Sequence, residues 1–150
     1  MTLLRGLRTS IDMLLDEGLD NVSARHARLA TGVRAAVDAW GLRNCARRPE
    51  LYSDTVTAIM VDPSFNANDI IGAAYSHFGV SLGGGLGKVA GKVFRIGHLG
   101  WLNEAMVLQA LGGAELAMRH CGVEFRAGAG VGAAIESFTE TREALPLAAE

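Results

Sequence analysis

Lysine is almost missing from this chain: Lys88 and Lys92 are the only two among 150 residues. Chemistry that depends on a lysine amine is confined to that pair. Cysteine is just as scarce. Cys45 and Cys121 form no CxxC pair, and His26, His77, His98 and His120 show no ligand spacing, so no disulfide framework or zinc site is indicated. His120 and Cys121 are adjacent, but a helix end that carries a histidine and a packed cysteine accounts for them better than a metal does. A reduced, cytoplasmic protein is the simplest reading.

Long apolar runs are also lacking. No stretch reaches the roughly 18 residues of a spanning helix, and the opening MTLLRGLRTSIDMLLDEG does not follow the charged, apolar, small-residue order of a secretory signal. No basic block stands out either; the net charge is −2 and the arginines are scattered. A nucleic-acid partner calls for a clustered positive face, so neither nucleic acid nor membrane is expected. What is present is 49% hydrophobic and 20% charged residues, in a length that suits one folded domain.

Hydrophobic periodicity places the elements. Leu4, Leu7, Ile11, Leu14 and Leu15 recur at helical spacing before Gly18. Val22, His26, Leu29, Val33, Val37 and Trp40 mark a second amphipathic helix closed by Gly41, with His26 as a packed core histidine. Strands are expected at 42–45, 55–61 (TVTAIMV), 80–82 and 93–98. Asn66 or Asn68 caps a third helix carrying Ile70, Ala74 and Phe78, and Asn103 caps a long one ending at Gly122. Gly112 and Gly113 lie inside that last helix, where each glycine costs about 1 kcal/mol against alanine and so signals close packing. Residues 126–132 read as a glycine-rich tail, 133–143 as a final helix and 146 onward as a frayed end. Helices interleaved with short, mostly antiparallel strands make a two-layer α+β domain.

The segment VSLGGGLGKVAGKVFRIGHLG, Val80 to Gly100, holds seven glycines, both lysines and one arginine. A P-loop is excluded. The glycine required by GxxxxGK[ST] falls on Leu82 or Leu86, and each lysine is followed by valine. A dinucleotide fingerprint is excluded as well, because the stretch leads into a strand. What remains is a loop feeding a strand on which Val93, Arg95 and Gly97 share one face and Phe94, Ile96 and His98 the other. An arginine among apolar neighbours requires an anion: a structural carboxylate, or a ligand carboxylate taken by the planar fork. Gly97 leaves room beside that guanidinium.

GGGLGKVAGKVFRIGHLG, with LNE shortly after, resembles the C-terminal signature of class V pyridoxal-phosphate-dependent aminotransferases. The likeness is to the serine–glyoxylate, alanine–glyoxylate and serine–pyruvate branch. It extends over Leu3 to Ala134. GLRTSIDMLLDEGLDNVSARHARLATGVRAAVDAWGL is similar to the interdomain helix and first small-domain helix, YSDTVTAIMV to a strand, and NEAMVLQALGGAELAMRHCGV to the last long helix. The resemblance implies a small-domain fold: residues 1–17 as the interdomain helix, 18–125 as the domain core and 126–150 as a tail.

It also implies that Arg95 binds the substrate's α-carboxylate and that Gly83, Gly84 and Gly85 edge the substrate pocket. The family's Schiff-base lysine would lie in a large domain outside this sequence. Neither Lys88 nor Lys92 matches its position, so no pyridoxal phosphate is expected on this chain alone. The resemblance makes the chain a small-domain piece that is inert by itself. Its substrates in an intact enzyme would be small amino and keto acids. Trp101 departs from the pattern, standing where the branch commonly has aspartate, and His98 is branch-typical with a packing role. Apolar helix faces deprived of a large domain imply a homo-oligomer, with the first helix exchanged between copies. The alternative is a free-standing α+β module that binds a small ligand or a protein.

Overall fold

The structure, a computed structural model, describes residues 2–142. The sequence reading of 143–150, including the frayed end, lies outside them. Helix α1 (Thr2–Glu17) and helix α2 (Leu19–Ala39) are separated by Gly18, whose φ of +86° breaks what would otherwise be one continuous helix. Strand β1 (Arg43–Asn44), a short 3₁₀ turn (Pro49–Leu51) and strand β2 (Val56–Met60) follow. Helix α3 (Ala67–Phe78) leads to β3 (Gly83–Gly84), a second 3₁₀ turn (Gly87–Val89) and β4 (Val93–Gly97). The long helix α4 (Glu104–His120) and α5 (Ala129–Arg142) complete the described chain.

The strands form one antiparallel sheet in the order β1-β2-β4-β3. One face is covered by helices: α2 and α3 touch the strands directly, while α4 and α5 pack chiefly on those helices. The core joins Leu29, Val33 and Val37 of α2, Ile59 of β2, Ile70 of α3, Phe94 of β4 and Leu111 and Met118 of α4. These are the positions that the two periodicities, near 3.6 and 2, assign to inward faces. The domain is α+β, as read from the sequence. Asn66 accepts the Asn68 N–H and Asn103 the Met106 N–H, each at 3.0 Å, so both helices start on an asparagine cap.

Two boundaries differ from the sequence reading. Val80–Leu82 is not a strand; pairing with β4 begins at Gly83. Val80 instead packs on α4, where a Cβ on Gly113 would overlap its side chain, while Gly112 faces open space. Only one of the two mid-helix glycines therefore serves packing. The last helix starts at Ala129 and not at 133, so glycines read as tail form its first turn. One of them, Gly130, has a steric reason: its Cβ would overlap the Trp40 ring, as a Cβ on Gly32 would overlap Phe138, so the two glycines let α2 and α5 approach closely.

Glu115 of α4 closes that seam. Its carboxylate is buried and accepts the Trp40 indole N–H at 2.9 Å and the Gly128 and Gly130 backbone N–H groups at 2.7 and 2.8 Å. The free N–H groups at the start of α5 thus find their acceptor on another helix.

Candidate carboxylate-binding site

Alternation along β4 turns Phe94 and Ile96 into the core and leaves Val93, Arg95 and Gly97 on the sheet face away from the helices. Val56, Ala58 and Met60 of β2 share that face and are half-buried. The loop between β3 and β4 folds over Val93; a Cβ on Gly85 would collide with the Val89 carbonyl, so the loop closes only around a glycine. Arg95 is half-buried, with Ala58 directly across on one side and Gly83 on the other.

Among the described residues the arginine has no hydrogen-bond or ion-pair partner. Among the described residues the ion pairs involve Arg8, Arg25, Arg28 and Arg34, and none involves Arg95. Its Nε is buried and donates to nothing. A desolvated guanidinium N–H left without an acceptor costs roughly 1–3 kcal/mol, so the fold holds this side chain at a loss. Among the described residues, no structural carboxylate of the kind the sequence left open as one of two possibilities pairs with Arg95.

Gly83, Gly84 and Gly85 divide in role. Gly83 lies beside the guanidinium, Gly84 faces the core near Ile71, and Gly85 serves the loop. Of the three, only Gly83 pairs with Arg95 across the ladder. That could not be read from the sequence, because it depends on the β3–β4 register. Gly97, with open space where a Cβ would stand, keeps one flank of Arg95 clear.

His98 lies just beyond β4, fully buried on the helix side. Its Nδ1–H donates to the Asp54 carbonyl at 3.0 Å and its Nε2 accepts from the Thr57 hydroxyl at 2.9 Å. Burial, only partly offset by the bond to Asp54, holds its pKa below the usual histidine value. It is a neutral packing group that ties β4 to β2, not an acid or base. His26 is likewise packed: Nδ1–H donates to the Val22 carbonyl at 2.7 Å and Nε2 accepts the Gly100 N–H at 3.0 Å.

A cleft of about 770 Å³ lies elsewhere, between the last turns of α1, the start of α2 and the loop 99–101. Its walls are largely apolar, Met13, Leu14, Val22, Leu99 and Trp101 among them. The guanidinium there, Arg25, is already occupied. It donates to both Glu17 oxygens at 2.6 and 2.8 Å and to the Gly100 carbonyl at 2.7 Å, with the Trp101 ring centroid 5.8 Å away. Trp101 itself is 69% exposed and lines this cleft. The guanidinium at this cleft is thus engaged, whereas among the described residues that of Arg95 has no acceptor for its Nε.

Pyridoxal phosphate would require an amine for covalent attachment, an acid for its ring nitrogen and donors for its phosphate. Lys88 and Lys92 both stand exposed on the loop between β3 and β4. The described residues thus offer a cation to an anionic group and do not fit the cofactor's ring. Among them, no three His, Cys, Asp or Glu side chains come together as a metal site. His120 instead packs against His77, with ring centroids 4.6 Å apart. Among the described residues no helix is long and apolar enough to cross a membrane.

No family model matches the chain. Individual relatives do. The chain is 59% identical to the serine–glyoxylate aminotransferase of Hyphomicrobium methylovorum over 92% of its own length and 34% of that enzyme's. It is 54% identical to the L-aspartate–glyoxylate aminotransferase of Paracoccus denitrificans, over 95% and 36%. Among solved structures, the Bacillus subtilis ureidoglycine–glyoxylate aminotransferase superposes with a TM-score of 0.87 at 26% identity, covering 93% of this chain and 36% of that one. The Mesorhizobium loti pyridoxamine–pyruvate aminotransferase gives 0.86 at 33%, covering 91% and 35%. The chain spans about a third of the length of the curated relatives it matches. Sequence and fold agree: the chain belongs to the class V pyridoxal-phosphate-dependent aminotransferases, within the glyoxylate branch.

Proposed function

We propose that this chain supplies the substrate-carboxylate-binding arginine, Arg95, to a pyridoxal-phosphate-dependent aminotransferase. The enzyme would pass an amino group from a small amino acid, serine or alanine, to glyoxylate or pyruvate. The observation that carries the reading is the half-buried guanidinium with an unpartnered Nε on the open face of the sheet. Every amino donor and keto acceptor of such a reaction shares one carboxylate. A fixed two-pronged cation orients all of them alike, with the α-carbon toward the reacting group. When bound in such an enzyme, the cofactor supplies the carbonyl chemistry; the role argued for this chain is to bind and orient.

The chain on its own is expected to be inert, since neither lysine occupies an enclosed site. With added pyridoxal phosphate it should give no amino transfer from serine or alanine to glyoxylate. The decisive test replaces the matching third of the Hyphomicrobium enzyme with this chain. Arg95→Ala should then lower kcat/KM by about 10²–10³-fold, and Arg95→Lys should restore little, because an ammonium lacks the fork. Full activity with alanine at 95 would overturn the reading.

Exposed apolar side chains on α1, with Leu3 90%, Leu4 67% and Leu15 62% accessible, support self-association of the isolated chain through that helix. A monomeric sedimentation profile would count against it. A cytoplasmic setting fits the two free cysteines.

A further inference from the structure

Gly83 is the direct partner of Arg95 across the β3–β4 ladder, and the two share a face. A Cβ at 83 would stand 3.2 Å from the Arg95 Nε, 3.3 Å from its Cβ and 3.5 Å from Nη2. The first two distances are tighter than ordinary van der Waals contact, so even alanine would push the arginine side chain outward. The backbone does not require glycine here. Gly83 is absent from the residues with positive φ, unlike Gly87 and Gly91 further along the same loop. What glycine provides at 83 is therefore space, and the group that fills the space is the arginine.

On the opposite flank the partner of Arg95 is Ala58, again a small residue. Arg95 is seated in a trough between two strands, with its Nε turned in and buried. We propose that Gly83 is a positioning residue for the carboxylate site: its missing side chain lets Arg95 lie down along β3 and so sets the depth at which the guanidinium meets a ligand. The inference rests on the carboxylate-binding role of Arg95 and adds the residue that fixes its geometry. An arginine held flat in a trough keeps few rotamers, and a preorganised fork loses less entropy on binding than a free one. It follows that the β3–β4 pairing, and not the loop beyond it, decides how far a small 2-oxo acid must descend to be gripped.

The test uses the 150-residue chain with glyoxylate as the probe, following the arginine Nε–H signals by NMR. The Arg95 Nε–H signal of the parent chain should move saturably as glyoxylate is added. Gly83→Ala should weaken that binding about fivefold, with thermal stability unchanged or raised, since alanine favours a strand over glycine. Gly84→Ala is the control. Its Cβ would meet Ile71 at an ordinary 3.6 Å, on the core side, and affinity should not change. A merely structural role for Gly83 would lower stability and leave the affinity alone. Unchanged affinity in Gly83→Ala would overturn this inference while leaving the role of Arg95 standing. A parent chain whose Arg95 signal ignores glyoxylate would overturn both.

Discussion

The seam between α2 and α5 and the open face of the sheet treat a charged side chain in opposite ways. At the seam, the Glu115 carboxylate is buried and accepts from the Trp40 indole and from the Gly128 and Gly130 backbone N–H groups at the start of α5. On the sheet, the Arg95 guanidinium is half-buried with an Nε that donates to nothing. A fold that satisfies one buried charge so fully does not lack the means to satisfy another. Arg28 also has an unpartnered Nε, but it is ion-paired with Glu104; Arg95 has no ion pair among the described residues, and on the reading proposed above it is held for a ligand. Arg25 marks the middle ground: an arginine saturated by Glu17 and backbone carbonyls, and hence structural.

Substitutions that sharpen this contrast should fall in order. Glu115→Ala strands an indole donor and the α5 N–H groups together, and should cost about 3 kcal/mol in urea unfolding. A loss below about 1 kcal/mol would mean that water replaces the carboxylate and the seam is not a buried node. Next come Gly32→Ala and Gly130→Ala. Helix propensity alone predicts a gain near 1 kcal/mol for each, whereas overlap with Phe138 and Trp40 predicts a loss of about 1–3 kcal/mol. The sign of the change separates packing from propensity.

His98 gives a pH signature of intermediate size. Its folded pKa is lowered by burial, with the Asp54 carbonyl and carboxylate opposing that shift and Arg34 and His26 adding to it. A depressed value means that the contribution is complete above the ordinary histidine pKa of about 6.5. It is then lost as pH falls from there through the folded value, because the unfolded chain takes the proton first. Urea midpoints between pH 7.5 and 5 should fall, and His98→Gln should flatten that slope. Arg25→Ala should matter less, about 1 kcal/mol, and less still in high salt, because the pair with Glu17 remains partly solvated.

The sequence carried most of the fold and part of the site. Helical spacing located α1 to α4 because their apolar faces are bounded by Gly18, Gly41, Gly79 and Gly122, all at positive φ. Alternation along VFRIGH put Arg95 on the face opposite Phe94 and Ile96, which is where it lies. What sequence could not give was register and distant pairing. That Gly83 faces Arg95, that Val80 fills the notch at Gly113, and that Glu115 caps a helix starting 14 residues later all depend on which elements meet. Gly130 illustrates why: a glycine that makes room for a partner ring reads, in one dimension, like a glycine that makes a tail.

The smallest expected effect is the most telling. Arg95→Met keeps the length and apolar stem of the side chain while removing the charge, and thermal unfolding of the chain with and without glyoxylate reads its consequence. If the guanidinium is held for a ligand, the variant melts at the same temperature as the parent or higher, since an unsatisfied donor has gone, and glyoxylate no longer raises its melting point. A variant that melts well below the parent, by the equivalent of about 2 kcal/mol or more, would mean that Arg95 is paired within the fold, and the account of this site would be wrong.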